Sequence, residues 1–201
     1  MSAKTPLAFF EDNLGYARNL VAIARAVDTQ TTPALDVSDI LRAALVSGVS
    51  ALDHFVHEKV RTRMMETFAK GDPGTDAFQR FSTPLGAVQA ALTSAAPPDW
   101  LDAEIRSQHG LLSFQKPDKI ADAIRLISPI KLWEEVASAL GSDAQTVKRE
   151  LTLIVDRRNK IAHEADVDPT PPHDRWPISY PDVDNALGYM DSLGHTIDGL
   201  C

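Results

Sequence analysis

The chain has 201 residues, of which 44% are hydrophobic and 24% charged, as expected of a soluble globular protein that can bury a substantial core. A formal net charge of −8 argues against a protein that coats nucleic acid through a broad cationic face. The single cysteine, Cys201, excludes an intrachain disulfide, and no segment resembles a signal peptide or a membrane span. We therefore expect a cytoplasmic protein.

Hydrophobic periodicity predicts two long helices in the first third of the chain. Apolar residues at spacings of three and four mark a helix over 5–28 and a longer one over 36–69, which Asp36 or Ser38 could cap. The segment KGDPGTD then ends the second helix. The predicted core positions are Leu7, Phe10, Leu14, Ala17, Val21 and Ala24, followed by Leu41, Leu45, Leu52, Phe55 or Val56, and Val60.

The middle of the chain, about 75–117, is less regular. TPLGAVQAAL predicts a short helix, AAPPDW a loop, and 105–113 another short helical piece. From Asp118 a helix resumes in KIADAIRLI, is interrupted by SPIK, and continues through LWEEVASALG, where Gly141 is a stop signal.

The segment SDAQTVKRELTLIVDRRNKIAH predicts one further helix, with Ser142 and Gln145 as a capping box. The proline-rich stretch DVDPTPPHDRWPISYPD is expected to be a loop, and a last helix follows it. The core positions of these two helices are Val147, Leu151, Ile154 and Ile161, then Val183, Leu187, Met190 and Ile197. Since no credible strand pair appears, we predict a single all-α domain over 1–201, most simply a helical bundle.

Residues 157–166, RRNKIAHEAD, combine residue types that suffice for RNA cleavage. RNA carries its own nucleophile, the 2′-hydroxyl, so a ribonuclease needs only proton transfer and a cation on the scissile phosphate. Arg158, Asn159 and His163 would provide these functions. On the residues alone, the simpler interpretation is a helix whose terminal cations offset its macrodipole. The segment 148–160 also carries a local excess of three positive charges.

Helical geometry constrains this motif. Asn159 and His163 lie on nearly one face, whereas Arg158 and His163, five residues apart, are splayed by about 140°. Either the helix ends near Ala162 and the turn folds His163 back, or a second chain completes the site. We therefore predict a dimer in solution.

RRNKIAHEAD resembles the RNxxxH motif of the HEPN superfamily, helical domains found in RNA-targeting defence and toxin systems. The segments LVSGVSALDHFVHEKV, SFQKPDKIADAI, LWEEVA and DRWPI are similar, in the same order, to the RiboL-PSP-HEPN family, so the resemblance covers about residues 40–180.

The resemblance implies a HEPN-like helical bundle with additional short helices, acting as a metal-independent endoribonuclease. It implies a homodimer, no cofactor, and products with 2′,3′-cyclic phosphate and 5′-hydroxyl ends. Arg158 would polarise the phosphate, Asn159 would orient the backbone or the substrate, and His163 would act as general base or acid. Asp53 stands where relatives usually carry an acidic residue, and could pair with Arg158.

Several other residues have a functional and a simpler structural interpretation. His54 and His57 in HFVHE suggest zinc, but the order does not match HExxH, so solvated helix residues are favoured. His57 is also a candidate neighbour of the pocket.

Arg157 and Lys160 are candidates for contacts along the path of a bound RNA. Alternatively, their charges only offset the dipole at the end of the helix. Trp176 would stack on a base or, more simply, anchor its loop. Glu164 and Asp166 are interpreted as compensating nearby cations.

The sequence leaves open a second function, a non-catalytic module that dimerises or binds RNA, which the net charge of −8 favours somewhat. A third interpretation is a helical partner of a nucleotidyltransferase. As partners we expect RNA, a second copy of the chain, and an antitoxin or defence protein whose identity the sequence does not give.

Overall fold

Helices make up the regular structure of this protein in a computed structural model, which describes residues 4–32, 35–93 and 97–201, with only the backbone of 97–99. In chain order they are α1 (Pro6–Gln30), α2 (Ser38–Lys70), α3 (Asp76–Gln79), α4 (Leu85–Thr93), α5 (Pro97–His109), α6 (Pro117–Ile124), α7 (Leu132–Ala139), α8 (Ala144–His163) and α9 (Tyr180–Leu200). The β pairing in these residues is limited to an isolated bridge between Val167 and Arg175. The predicted all-α class is confirmed.

The long helix α2 lies at the centre and packs against α1, α5, α6, α8 and α9. Its apolar residues at helical spacing are buried together with those of α1 and α9, which confirms the predicted periodicity. Two glycines permit the closest approaches. A Cβ on Gly48 would overlap Leu187, and one on Gly194 would overlap the ring of Phe10.

The ends of several helices differ from the prediction. Asp36 accepts hydrogen bonds from Ser38, but the N-cap position of α2 is Val37, without a side-chain cap. α8 begins one residue later than predicted, because Asp143 rather than Ser142 accepts the Thr146 amide.

The middle of the chain is more helical than predicted. Residues 97–100 of the predicted AAPPDW loop form the first turn of α5, where proline is tolerated because its missing N–H has no helical partner. Residues 95–96 of that prediction lie outside the described residues. The piece predicted over 105–113 is the second half of α5, which ends at His109, and α3 was not predicted.

The motif helix α8 packs against α2 and α7, and the proline-rich segment after it connects to α9 without a helix or named strand. Within the described residues, none of the helices is long and apolar enough to cross a membrane. The fold thus presents the end of α8, with the motif, beside a loop that returns to the bundle.

Candidate functional site

The motif residues lie on the last two turns of α8, which continues without a break to His163. The expected alternative in which the helix ends near Ala162 and folds His163 back is therefore not what this protomer adopts. Arg158 and His163 point about 140° apart on a regular helix, with a rise of about 7.5 Å between them. A single chain in this conformation does not aim both side chains at the same atom.

Arg158 has an unusual environment for an arginine. Its side chain is half-buried, and Nη1 donates a hydrogen bond of 3.1 Å to Oδ1 of Asn159. Its Nε is buried and has no acceptor, and no carboxylate of the described residues lies within ion-pair distance of its guanidinium. The charge of Arg158 is therefore incompletely compensated. A buried donor without an acceptor costs about 1–3 kcal/mol. Phosphate oxygens would satisfy it.

His163 is exposed at the end of α8, with no hydrogen bond to its ring from the described residues. Lys160 lies nearby with Nζ 5.2 Å from the centre of the Trp176 ring. Both side chains are accessible to a ligand on the outer surface of the helix end. Asn159, by contrast, is half-buried and orients Arg158.

Arg157, a candidate for RNA binding, is engaged within the protein. Its Nη2 donates to Oδ2 of Asp166 at 2.9 Å and to the carbonyl oxygens of Trp176 and Pro177 at 3.1 and 3.0 Å. The guanidinium therefore ties the loop to α8. Its geometry supports the structural interpretation over an RNA path.

Asp166 is the residue on which the hydrogen bonds between α2, α8 and the loop converge. On the sequence alone, it is interpreted only as compensating nearby cations. It is 0% exposed and lies between Arg157 and the buried Arg42 of α2, whose Nε donates to Asp166 Oδ2 at 2.7 Å. The Asp166 amide donates to the Lys160 carbonyl, and its carbonyl accepts from the Trp176 amide. Arg42 also donates to the Trp176 carbonyl at 2.8 Å. The loop after the motif is thus anchored to α2 and α8 by Asp166 and by the backbone of Trp176, whose side chain is half-buried.

Asp53 does not meet Arg158. Its carboxylate accepts from the Phe114 amide at 2.6 Å and from Gln115 at 2.8 Å, and lies 3.5 Å from Nε2 of His57. Burial alone would raise the pKa of Asp53, but the hydrogen bonds outweigh it and hold the pKa below its usual value. The expected pairing with Arg158 is corrected, since Asp53 joins α2 to the segment before α6.

His57 packs away from the motif as well. Its ring lies 4.3 Å from that of Phe114 and 6.3 Å from that of His109, centre to centre. His54 and His57 line a small pocket with Glu58 and His109, but no group of three metal-ligating side chains with suitable geometry occurs in the described part of the chain. Neither a zinc site nor an RNA contact gains support there.

The buried His109 should make stability depend on acid pH. Burial, with a contribution from the neighbouring His57, lowers its pKa from 6.5 to about 4. Below pH 6.5 the unfolded chain binds a proton that the folded chain does not, so the free energy of unfolding should fall as the pH drops from 6.5 to 4. The loss is at most about 3 kcal/mol. Urea unfolding of the wild type and of His109→Phe over this range measures it, and parallel pH curves for the two would contradict the assignment.

Comparisons with known proteins add nothing to this geometry: no protein-family model matches the chain, and neither a curated protein nor a solved structure shows significant similarity to it.

Proposed function

We propose that this protein is a metal-independent endoribonuclease that acts as a homodimer, as a toxin or an effector of anti-phage defence. The observation that carries the proposal is Arg158, a half-buried cation at the end of α8 without an ion-pair partner in the described residues and with a buried, unsatisfied Nε. The resemblance of RRNKIAHEAD to the HEPN motif supports the same assignment.

The chemistry follows from the properties of the three side chains. Arg158, oriented by Asn159, would hold a nonbridging oxygen of the scissile phosphate and stabilise the charge that develops there. His163 would take the proton of the 2′-hydroxyl or give one to the leaving 5′-oxygen. Attack of the 2′-oxygen on phosphorus would leave a 2′,3′-cyclic phosphate and a 5′-hydroxyl. No metal is needed for these steps.

A second copy supplies the geometry that one protomer lacks. Because α8 is unbroken to His163, its Arg158 and His163 diverge. Two α8 ends facing each other across a twofold axis would bring Arg158 of one protomer towards His163 of the other. The interface would also remove water from the half-buried Arg158.

One observation favours the alternative, a module that binds RNA without cutting it. A catalytic histidine is usually oriented by a third group, and in the described residues the ring of His163 has no such partner. The net charge of −8 would also oppose recruitment of RNA.

Cleavage in EDTA decides between these functions. Purified wild type should cut RNA oligonucleotides and leave cyclic phosphate ends, while His163→Ala should lower the rate by about 10²–10⁴-fold. Arg158→Ala should lower it by about 10²–10³-fold. His54→Ala, which removes another exposed histidine without an ion pair among the described residues, is the matched control and should cut like the wild type. Cutting by His163→Ala at the wild-type rate would contradict the proposal, and wild type that binds RNA but leaves it intact would favour the module.

A further inference from the structure

A cleft of about 1000 Å³ opens beside the first turn of α7, near the beginning of α8 and far from the motif. Its walls come from α2, α3, α6, α7 and α8, and we refer to it as the α7 cleft. Five basic side chains line it against three acidic ones, so its lining has a surplus of two positive charges in a chain of net charge −8. The basic residues are Arg63, Arg80, Arg125, Lys131 and Lys148.

Two of these cations are available to a ligand. Arg80 and Lys148 have no carboxylate within ion-pair distance in the described part of the chain. The other three pair with exposed acidic residues, and such surface pairs contribute only about 0–1 kcal/mol each. Phosphate oxygens would replace them at little cost, because the guanidinium and ammonium groups are already near water.

The distribution of these charges fits a chain of phosphates better than a single one. The five cations come from five separate segments of the chain rather than from one helix face: α2, the ends of α3 and α6, the residue before α7, and α8. Half-buried Ile130 adds apolar surface to the lining, which can contact a base. The volume is at the upper end of the range for small-ligand sites.

Helix α8 connects the α7 cleft to the motif. Lys148 and His163 are fifteen residues apart on this helix, which corresponds to a rise of about 22 Å and a rotation of only about 60°. Both side chains therefore face the same side of α8, one at each end. Single-strand-binding sites commonly extend over roughly 4–16 nucleotides, so one strand can occupy both places.

We propose that the α7 cleft binds phosphates of the RNA strand on one side of the cleavage site, so that the substrate runs along α8 from the motif to the cleft. This inference rests on the proposed function, and it explains how an acidic protein recruits RNA. Arg80 and Lys148 provide the contacts that have no competing carboxylate.

RNA binding by two double variants tests the inference. Both are made in the His163→Ala protein, and fluorescence anisotropy follows a labelled single-stranded RNA of about 16 nucleotides. Arg80→Glu with Lys148→Glu should weaken binding at least tenfold. It should also reduce the slope of log K against log salt by about 1.4, because each lost phosphate contact on a single strand removes about 0.7.

The matched control is Lys116→Glu with Lys119→Glu, two residues at the beginning of α6 and away from α8. These residues are exposed, lie outside the cleft, have no ion pair among the described residues, and give the same net charge. The control should bind RNA within about twofold of the parent. Equal losses in the two double variants, or no loss in either, would overturn the inference. If the charge reversals lower the melting temperature, Arg80→Gln with Lys148→Gln removes the same contacts more mildly.

Cleavage by otherwise wild-type protein separates this inference from the proposed function. RNA binding that needs Arg80 and Lys148, in a protein that never cuts, supports the α7 cleft and contradicts the nuclease. Cleavage of the same RNA with unchanged kcat/KM in Arg80→Glu with Lys148→Glu overturns the cleft and leaves the nuclease standing.

Discussion

Asp166→Ala is expected to lower the free energy of unfolding by about 3–5 kcal/mol, because it leaves a buried arginine pair without its carboxylate. Asp166 is fully buried, Arg42 nearly so, and Arg157 is mostly covered. The same residue also fixes the backbone, through hydrogen bonds to Lys160 and from Trp176. Arg42 and Arg157 also donate to the Trp176 carbonyl, so loss of the carboxylate that orients them should loosen the loop after the motif as well as destabilise the bundle.

Urea unfolding followed by circular dichroism measures this loss. Asp166→Asn separates charge from backbone, because asparagine also tolerates the positive φ of 59° at this position, whereas alanine does so less readily. It should destabilise less than Asp166→Ala. Asp174→Ala removes an exposed carboxylate of the same loop and should change stability by no more than about 0.5 kcal/mol. A loss below about 1 kcal/mol in Asp166→Ala would show that the network contributes little.

The sequence predicts the long helices well because their burial is periodic. Phe10, Leu14, Ala17 and Val21 repeat at spacings of three and four along α1, and each is buried as that pattern requires. The ends are less predictable, because capping depends on local choices between neighbouring side chains. Ser142 and Asp143 are both good caps, and the backbone of α8 begins where Asp143 reaches the Thr146 amide.

The polar residues show where prediction from sequence stops. Asp166 is 124 residues from Arg42, and nothing in the local pattern announces that this pair is buried together. A carboxylate three residues after an exposed helix end looks like simple charge balance until the fold is known. Asp53 is the opposite case. It is predicted as a partner of Arg158, yet in the fold its carboxylate accepts hydrogen bonds from Phe114 and Gln115. Long-range hydrogen bonding, rather than helical periodicity, decides both cases.

Mixing Arg158→Ala protein with His163→Ala protein is expected to restore RNA cleavage to about a quarter of the wild-type rate. The two side chains diverge on an unbroken α8, so in the proposed dimer Arg158 and His163 of one site come from different protomers. After random exchange about half of the dimers contain one protomer of each kind. In each mixed dimer one site loses both residues while the other keeps both, so half of its sites are complete.

The initial rate of oligonucleotide cleavage after co-refolding of the two variants measures this recovery, and light scattering establishes that dimers form. Mixing either variant with the Arg158→Ala, His163→Ala double variant is the control, since no dimer of that mixture has a complete site. Dimers that form without recovery would place both residues of a site in one protomer, which α8 could achieve only by unwinding before His163. A protein that stays monomeric and still cuts RNA would exclude the shared site altogether. Recovery of cleavage in the mixture of Arg158→Ala and His163→Ala, but not in the control mixtures, would show that each site takes Arg158 from one protomer and His163 from the other.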